Sequence, residues 1–458
     1  MLAVRPGEKI VSDRQALIQD AQGVLDRNWT GASTIPSRSL YPHQWSWDAA
    51  FIAIGRSWQE QRRAEQDLET LLAAQWASGM VPHIVFNPAV PAGAYFPGPE
   101  FWDSAGAAGH PNGPATSGLT QPPLHALAAL EVHRRAQDPG RARAFLERVY
   151  PRLAAQHDYL ARRRDPAGHG LAVIVHPWES GMDNAPVWDE DLELAVPPGA
   201  VPPYRRHDLV NADPGDRPTQ AAYDRFVYLA ITYRDKGYDD SRLLAGSPFL
   251  VEDPLFNSIW CASAHALAEI ATVLGEDPAR QRELAGRISA GMREHLWDPQ
   301  ARRFHALDVR TGRLLRHNTI TSLMPLLDPA LPAGYVDAII ADLRSEHFRP
   351  ADPGAFLVPS SDLVSPEFDR RRYWRGPVWI NTDWLVWRGL MQHPAATGGA
   401  ELAAEIAASM VRLVSRSGWR EYFDPFTGAG YGSADFSWSA ALVIDLLRTL
   451  AADQGDKP

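Results

Sequence analysis

The chain of 458 residues is 45% hydrophobic and 22% charged and holds no low-complexity tract, a composition that excludes a disordered or fibrous protein. Its formal net charge of -10 leaves no basic footprint, which argues against nucleic acid or an anionic membrane surface as a partner. No composition change, linker or fixed-period repeat divides it, so a single domain over 1–458 is expected, with a polar tail at about 452–458.

Along the chain, the first fifteen residues, MLAVRPGEKIVSDRQ, contain no apolar signal region. No stretch approaches the roughly 18 apolar residues of a membrane span, and a cytoplasmic protein is expected. Helical periodicity then recurs near 14–27, 47–57, 60–77, 123–137, 142–163, 219–235, 256–275, 277–297, 319–327, 333–346, 376–392, 399–416 and 437–451. In ELAAEIAASMVRLVSRSG, for instance, Leu402, Ile406, Met410 and Leu413 form one stripe and Gly418 ends the pattern. LAVIVH at 171–176 is the best extended run, so the fold is predicted to be mainly helical.

Long Pro-, Gly- and Trp-rich loops are expected at 79–121, 176–218, 348–375 and 417–436. Long irregular loops in a compact protein are usually functional. If the helices alternate up and down around a ring, these loops gather on one face over a central pit.

Cys261 is the only cysteine and lies in an apolar run, so neither an intramolecular disulfide nor a thiolate zinc cage is possible. None of the fifteen histidines forms a close ligand pair, and no essential metal is expected. Many of the sixteen tryptophans sit in loops beside acids and glycines, in QWSWD, HPWESGMDN, YWRGPVW and GWREYFDPFTG. An aromatic face stacks on the C–H face of a pyranose while carboxylates and amides take its hydroxyls.

Glycoside hydrolysis needs a protonated carboxyl to release the leaving oxygen and a second carboxylate on the opposite ring face. In PWESGMDNAPVWD, Glu179 and Asp183 are four apart; Asp183 is the candidate acid, with Trp178, Met182 and Pro186 nearby to raise its pKa by desolvation. In REYFDPFTG, Glu421 and Asp424 are three apart, and Glu421 is the candidate base. Spacing alone leaves open that these acids are solvated or capping residues.

YPHQWSWDAAF, PHIVFNP, GLTQPPLHA, WESGMDNAPVWD, YWRGPVW and EYFDPFTG, spread from about residue 40 to 445, resemble glycoside hydrolase family 63. Within it they are most similar to bacterial mannosylglycerate and glucosylglycerate hydrolases. The resemblance implies an all-α (α/α)6 toroid, inversion at the anomeric carbon and no cofactor. It matches the family's acid to Asp183 and its base to Glu421, and its sugar-binding positions to Tyr41, Trp45, Trp47, Asp48, Gln121, Gly181, Tyr373 and Trp374. It further matches Arg217 and Tyr223 to a glycerate-binding segment, and Tyr95 to a contributor from a mobile loop. Asp48 is alternatively an N-cap for a helix beginning at Ala49, and Arg217 an ion-pair partner of Asp213, Asp216 or Asp224.

The implied reaction is inverting hydrolysis of a small 2-O-α-glycosyl-glycerate, a compatible-solute type of metabolite. Alternatives are a toroidal α-glucosidase or trehalase acting on a neutral disaccharide, and a sugar-binding protein without catalysis. TQAA before Tyr223, where the relatives are more acidic, and the Ala-, Pro- and Gly-rich loops at 89–115 and 187–203 depart from the family where the leaving group is read. Oligomeric state stays open.

Overall fold

The structure is a computed structural model that describes residues 6–196, 201–209 and 213–453. Residues 454–458 of the expected polar tail, and 197–200 and 210–212 of the second long loop, lie outside the described residues. Among those described, twelve helical segments build two concentric layers. The inner six are Ser46–Arg56, His125–Arg134, Pro254–Leu274, Ile320–Leu327, Ile380–Met391 and Ser437–Asp453. Each packs on the next, and the last closes on the first, making a ring. Pro6–Arg27, Gln61–Ala73, Pro139–Arg163, Ala279–Gly291, Ala333–Leu343 and Gly399–Ser417 wrap it from outside.

The layers differ as their sequences require. All eleven residues of Ser46–Arg56 are buried, as expected for a helix walled on every side. Gly399–Ser417 instead keeps the predicted stripe, with Leu402, Ile406, Met410 and Leu413 buried and the backbone turning left-handed at Gly418 (φ +72°). Each apolar side chain so buried contributes about 1.5–3 kcal/mol relative to exposure.

Two predicted helices come out differently. The segment at 319–327 is a 3-10 helix, Ile320–Leu327, interrupted by Pro325, whose ring nitrogen has no hydrogen to donate. The stretch at 277–297 ends as an α-helix at Gly291 and passes into a π turn over Met292–Leu296. Gln220–Asp235 is helical as expected but stands outside the ring, packed on the short helix Pro99–Trp102. The run at 171–176 supplies only Val173–Ile174, first strand of a small antiparallel sheet completed by Val251–Glu252, Ala306–Asp308 and Arg313–Leu315. The final helix runs to Asp453, two residues into the expected tail.

Connections from inner to outer helices are short, at 57–60, 135–138, 275–278, 328–332 and 392–398. Those from outer to inner are long, and the four predicted loops all send side chains into one pocket. The inner helices therefore present their N-terminal ends to that pocket. Among the described residues no helix is long and apolar enough to cross a membrane.

Candidate active site

The pocket is a pit of about 940 Å³, its open mouth included. Two antiparallel strand pairs stand at its rim: Gln44–Trp45 with Ile84–Val85, and Tyr422–Phe423 with Gly430–Tyr431. Leaving the first pair, the chain enters helix Ser46–Arg56, which points Trp47 and Asp48 from its first turn into the pit. No side chain caps that helix, so Asp48 is not the N-cap that a start at Ala49 would require. Burial, with a smaller contribution from Glu421, pushes the Asp48 carboxyl well above the usual range. Gln121 accepts a hydrogen bond from the Trp47 amide at 3.3 Å, tying the first long loop to this turn.

The acid motif forms a four-residue helix, Pro177–Ser180, that stops at Gly181 with φ +76°. A Cβ there would stand 2.6 Å from the Trp47 ring, so glycine is required by both conformation and space. Glu179, buried, accepts two bonds from Arg164 at 3.0 and 2.9 Å, one from the Val175 amide at 2.7 Å and one from the Tyr233 hydroxyl at 2.9 Å. Its charge is consumed in holding the loop. Asp183 lines the pit and has no arginine in hydrogen-bond contact among the described residues. Burial pushes its carboxyl up to about 7, against the opposing pull of its own backbone amide and the charge of Arg217, with Glu421 and Asp208 adding to the rise.

Glu421 faces the pit from the other strand pair and is clamped. Its Oε1 accepts from the Tyr41 hydroxyl at 2.6 Å and from Arg217 Nη1 at 3.4 Å; its Oε2 accepts from Arg217 Nη2 at 3.2 Å and from the Ser433 amide at 2.9 Å. Gly432 (φ +64°) lets the chain fold over the carboxylate, where any side chain would collide with it. Asp424, three residues on, shapes the following turn by accepting from Arg370 at 2.6 and 2.8 Å and from the Phe426 and Thr427 amides, both at 2.9 Å. Burial alone would raise Asp424; these bonds hold it below the usual range.

The ion pair expected between Arg217 and Asp213, Asp216 or Asp224 does not form. Asp213 and Asp216 pair with Arg371, and Asp224 accepts from Tyr204 and Gln220. Arg217 itself is buried against Glu421 and donates to the Tyr41 hydroxyl at 2.9 Å, with the Tyr373 ring centroid 4.8 Å away. Tyr373 takes the left-handed region at φ +44°, and Trp374 beside it stacks on Trp379 at 3.7 Å. The Trp374 amide donates to Asn184 Oδ1 at 3.0 Å, which joins this wall to the acid loop. Across the pit, Tyr95 packs edge-on against Trp45 and His43, while Tyr223 stacks on Tyr204 beneath the Arg206 guanidinium.

All thirteen residues singled out from the sequence thus line one pit: Tyr41, Trp45, Trp47, Asp48, Tyr95, Gln121, Gly181, Asp183, Arg217, Tyr223, Tyr373, Trp374 and Glu421. His83, Asp208, Phe226, Phe436 and Trp438 line it as well and were not foreseen. Trp438 lies in the first turn of Ser437–Asp453, which the sequence marks only as a helix, and Asp208 gives no signal. Cys261, His265 and Asp328 bring three donor atoms within 4.8 Å of one another away from the pit. Asp328 there already accepts from Ser289 and the Ala330 amide, and burial pushes the Cys261 thiol up.

A closed helical toroid whose loop face holds a tryptophan-walled pit with two carboxyls in opposed environments defines a glycoside hydrolase. The chain belongs to the family described as the mannosylglycerate hydrolase MGH1-like glycoside hydrolase domain, which matches residues 41–439. It is 41% identical over 432 residues to the mannosylglycerate hydrolase of Rubrobacter radiotolerans, spanning 94% of this chain and 96% of that one. It is 39% identical over 436 residues to the glucosylglycerate hydrolase of Mycolicibacterium hassiacum, spanning 93% and 96%. The solved structure of the GH63 mannosylglycerate hydrolase of Thermus thermophilus with Tris and D-glycerate superposes with a TM-score of 0.86 at 40% identity, over 94% of this chain and 99% of that one. The resemblance carried by the six motifs is thereby borne out.

Proposed function

We propose that this pit hydrolyses a 2-O-α-glycosyl-glycerate, mannosylglycerate or glucosylglycerate, with inversion. Asp183 gives its proton to the glycosidic oxygen, and Glu421 takes one from a water that attacks the anomeric carbon from the opposite face. The bond from that carbon to the glycerate oxygen breaks, leaving free hexose and glycerate. Trp47, Asp48, Gln121, Gly181 and Trp374 hold the sugar ring in this reading, Tyr41 and Tyr373 bridge to the base, and Trp45, Tyr95, Tyr223 and Arg217 face the glycerate. The observation that carries it is the contrast between the two carboxyls, since burial pushes Asp183 up to about 7 while Glu421 is paired with the Arg217 guanidinium at 3.2 Å. The names of the similar enzymes support glycerate as aglycone.

Proton NMR of the enzyme with mannosylglycerate, glucosylglycerate and trehalose tests the reading. Early β-hexose from one of the glycerates supports it and names the sugar. Early α-hexose would refute inversion, and cleavage of trehalose alone would refute the aglycone.

A further inference from the structure

A general base must have a lone pair free to receive the proton it removes. An ionised carboxylate offers about four acceptor sites, and Glu421 fills four of them, two from Arg217, one from Tyr41 and one from the Ser433 amide. As it stands in the structure, Glu421 has no site left for a water proton, so a bond must be given up before catalysis. The bonds are unequal. Those from Tyr41 (2.6 Å) and the Ser433 amide (2.9 Å) are short, whereas both from Arg217 (3.2 and 3.4 Å) are long. Ser433 N–H is fixed by the hairpin, since the Glu421 amide in turn donates to the Ser433 carbonyl at 3.0 Å.

Arg217 is also the partner with something to gain by moving. Its Nε–H is buried and has no acceptor among the described residues, although a buried donor left unpaired is costly. Its other contacts are the Tyr41 hydroxyl and the faces of Tyr41 and Tyr373, which accommodate a cation without fixing its angle. The guanidinium lines the pit, within reach of an anion that enters it. A carboxylate offers it a full two-bond fork, which the long contacts to Glu421 do not supply.

We infer that the carboxylate of the substrate arms the base: on binding it draws Arg217 away from Glu421 and frees an acceptor site for the attacking water. The leaving group is then a participant in turnover as well as a handle for binding, and Arg217 is a positioning residue that keeps the base saturated until an anion arrives. Neutral glycosides that fit the pit meet a blocked base and are spared. The inference rests on the glycosyl-glycerate reading above and adds to it that the aglycone charge acts on kcat.

The test compares the glycosyl-glycerate with the glycosyl-glycerol in which the carboxylate is replaced by a hydroxymethyl group, each at saturation. Removing an effective general base costs on the order of 10²-fold or more, so kcat on the neutral glycoside is expected to fall by about that factor, beyond any change in KM. Propionate added in trans should restore part of the lost kcat. In Arg217→Met the ratio of the two kcat values should collapse towards one. A crystal structure of the wild-type enzyme with D-glycerate, which does not depend on that variant folding, should show both Arg217–Glu421 bonds broken or lengthened. Equal kcat on the two glycosides, propionate acting only as an inhibitor of the neutral one, or Arg217 still seated on Glu421 beside bound glycerate would each overturn the inference while leaving the hydrolase reading intact. Failure to cleave the glycosyl-glycerate at all would overturn that reading instead.

Discussion

The acid loop and the base hairpin solve one problem in opposite ways. Each carries two carboxyls three or four residues apart, and in each one of the pair is spent on structure: Glu179 against Arg164, Asp424 against Arg370. The carboxyls left facing the pit then part company. Asp183 is buried and has no arginine in hydrogen-bond contact among the described residues, and burial favours its neutral form. Glu421 instead accepts hydrogen bonds from Arg217, Tyr41 and the Ser433 amide. In the proposed reaction these surroundings give two residues of the same chemistry different work, one as proton donor and one as proton acceptor.

The sharpest way to break the comparison is to remove each working carboxyl. Asp183→Asn and Glu421→Gln are both expected to lower kcat on the natural glycoside by about 10⁴-fold. They should separate on the α-glycosyl fluoride, whose leaving group departs without a proton. Asp183→Asn should turn it over at a rate near the wild type, measured as fluoride release, and Glu421→Gln should not. Equal loss of both variants on the fluoride would mean that the two roles are not divided as proposed.

The structural members of the pairs should fail differently. Glu179→Gln takes from buried Arg164 its two-bond carboxylate partner and leaves it only Asp240, at 3.1 Å, and breaking a buried pair costs about 3–5 kcal/mol. Urea unfolding should show that loss, while the folded fraction keeps the pH profile of the wild type. A changed profile with unchanged stability would move Glu179 into the chemistry.

How much of this was legible in the letters follows the same division. Periodicity located the ring helices because a two-layer toroid buries continuous stripes, and the stripe at Leu402, Ile406, Met410 and Leu413 is read directly. It could not show that Gln220–Asp235 stands outside the ring, since a helix that covers a pit wall is as amphipathic as one that covers a core. Motif resemblance found thirteen lining residues, because composition beside a tryptophan survives in sequence. What it could not supply was which arginine meets which acid. Arg217 has three acids within seven positions, yet it pairs with Glu421, two hundred and four positions away, as the closing of the ring dictates. Asp208 was invisible for a related reason: nothing in RRHDLV marks a residue that the fold turns towards Asp183.

A smaller perturbation tests the clamp on the base alone. Tyr41→Phe removes the 2.6 Å bond to Glu421 Oε1 and keeps the ring. A hydrogen bond to a charged group is worth about 1.5–3 kcal/mol, so kcat/KM should fall by roughly 10- to 100-fold, with little change in folding stability. A loss confined to KM would place Tyr41 in substrate binding instead.

The finest test is the pH profile. In the proposed reaction Asp183 must be protonated to act, and burial sets its carboxyl at about 7, so the alkaline limb of kcat/KM should fall tenfold per pH unit above that value. The causes of the shift predict how the midpoint moves. Trp178 lines the pit, and Trp178→Ala admits water, weakens the burial that raises the carboxyl and should bring the alkaline limb down towards the ordinary 3.8. Arg217→Met removes a charge that favours the ionised form and should move the same limb up. Opposite displacements from the two variants require that the limb belongs to Asp183; a midpoint indifferent to both would assign it to another group.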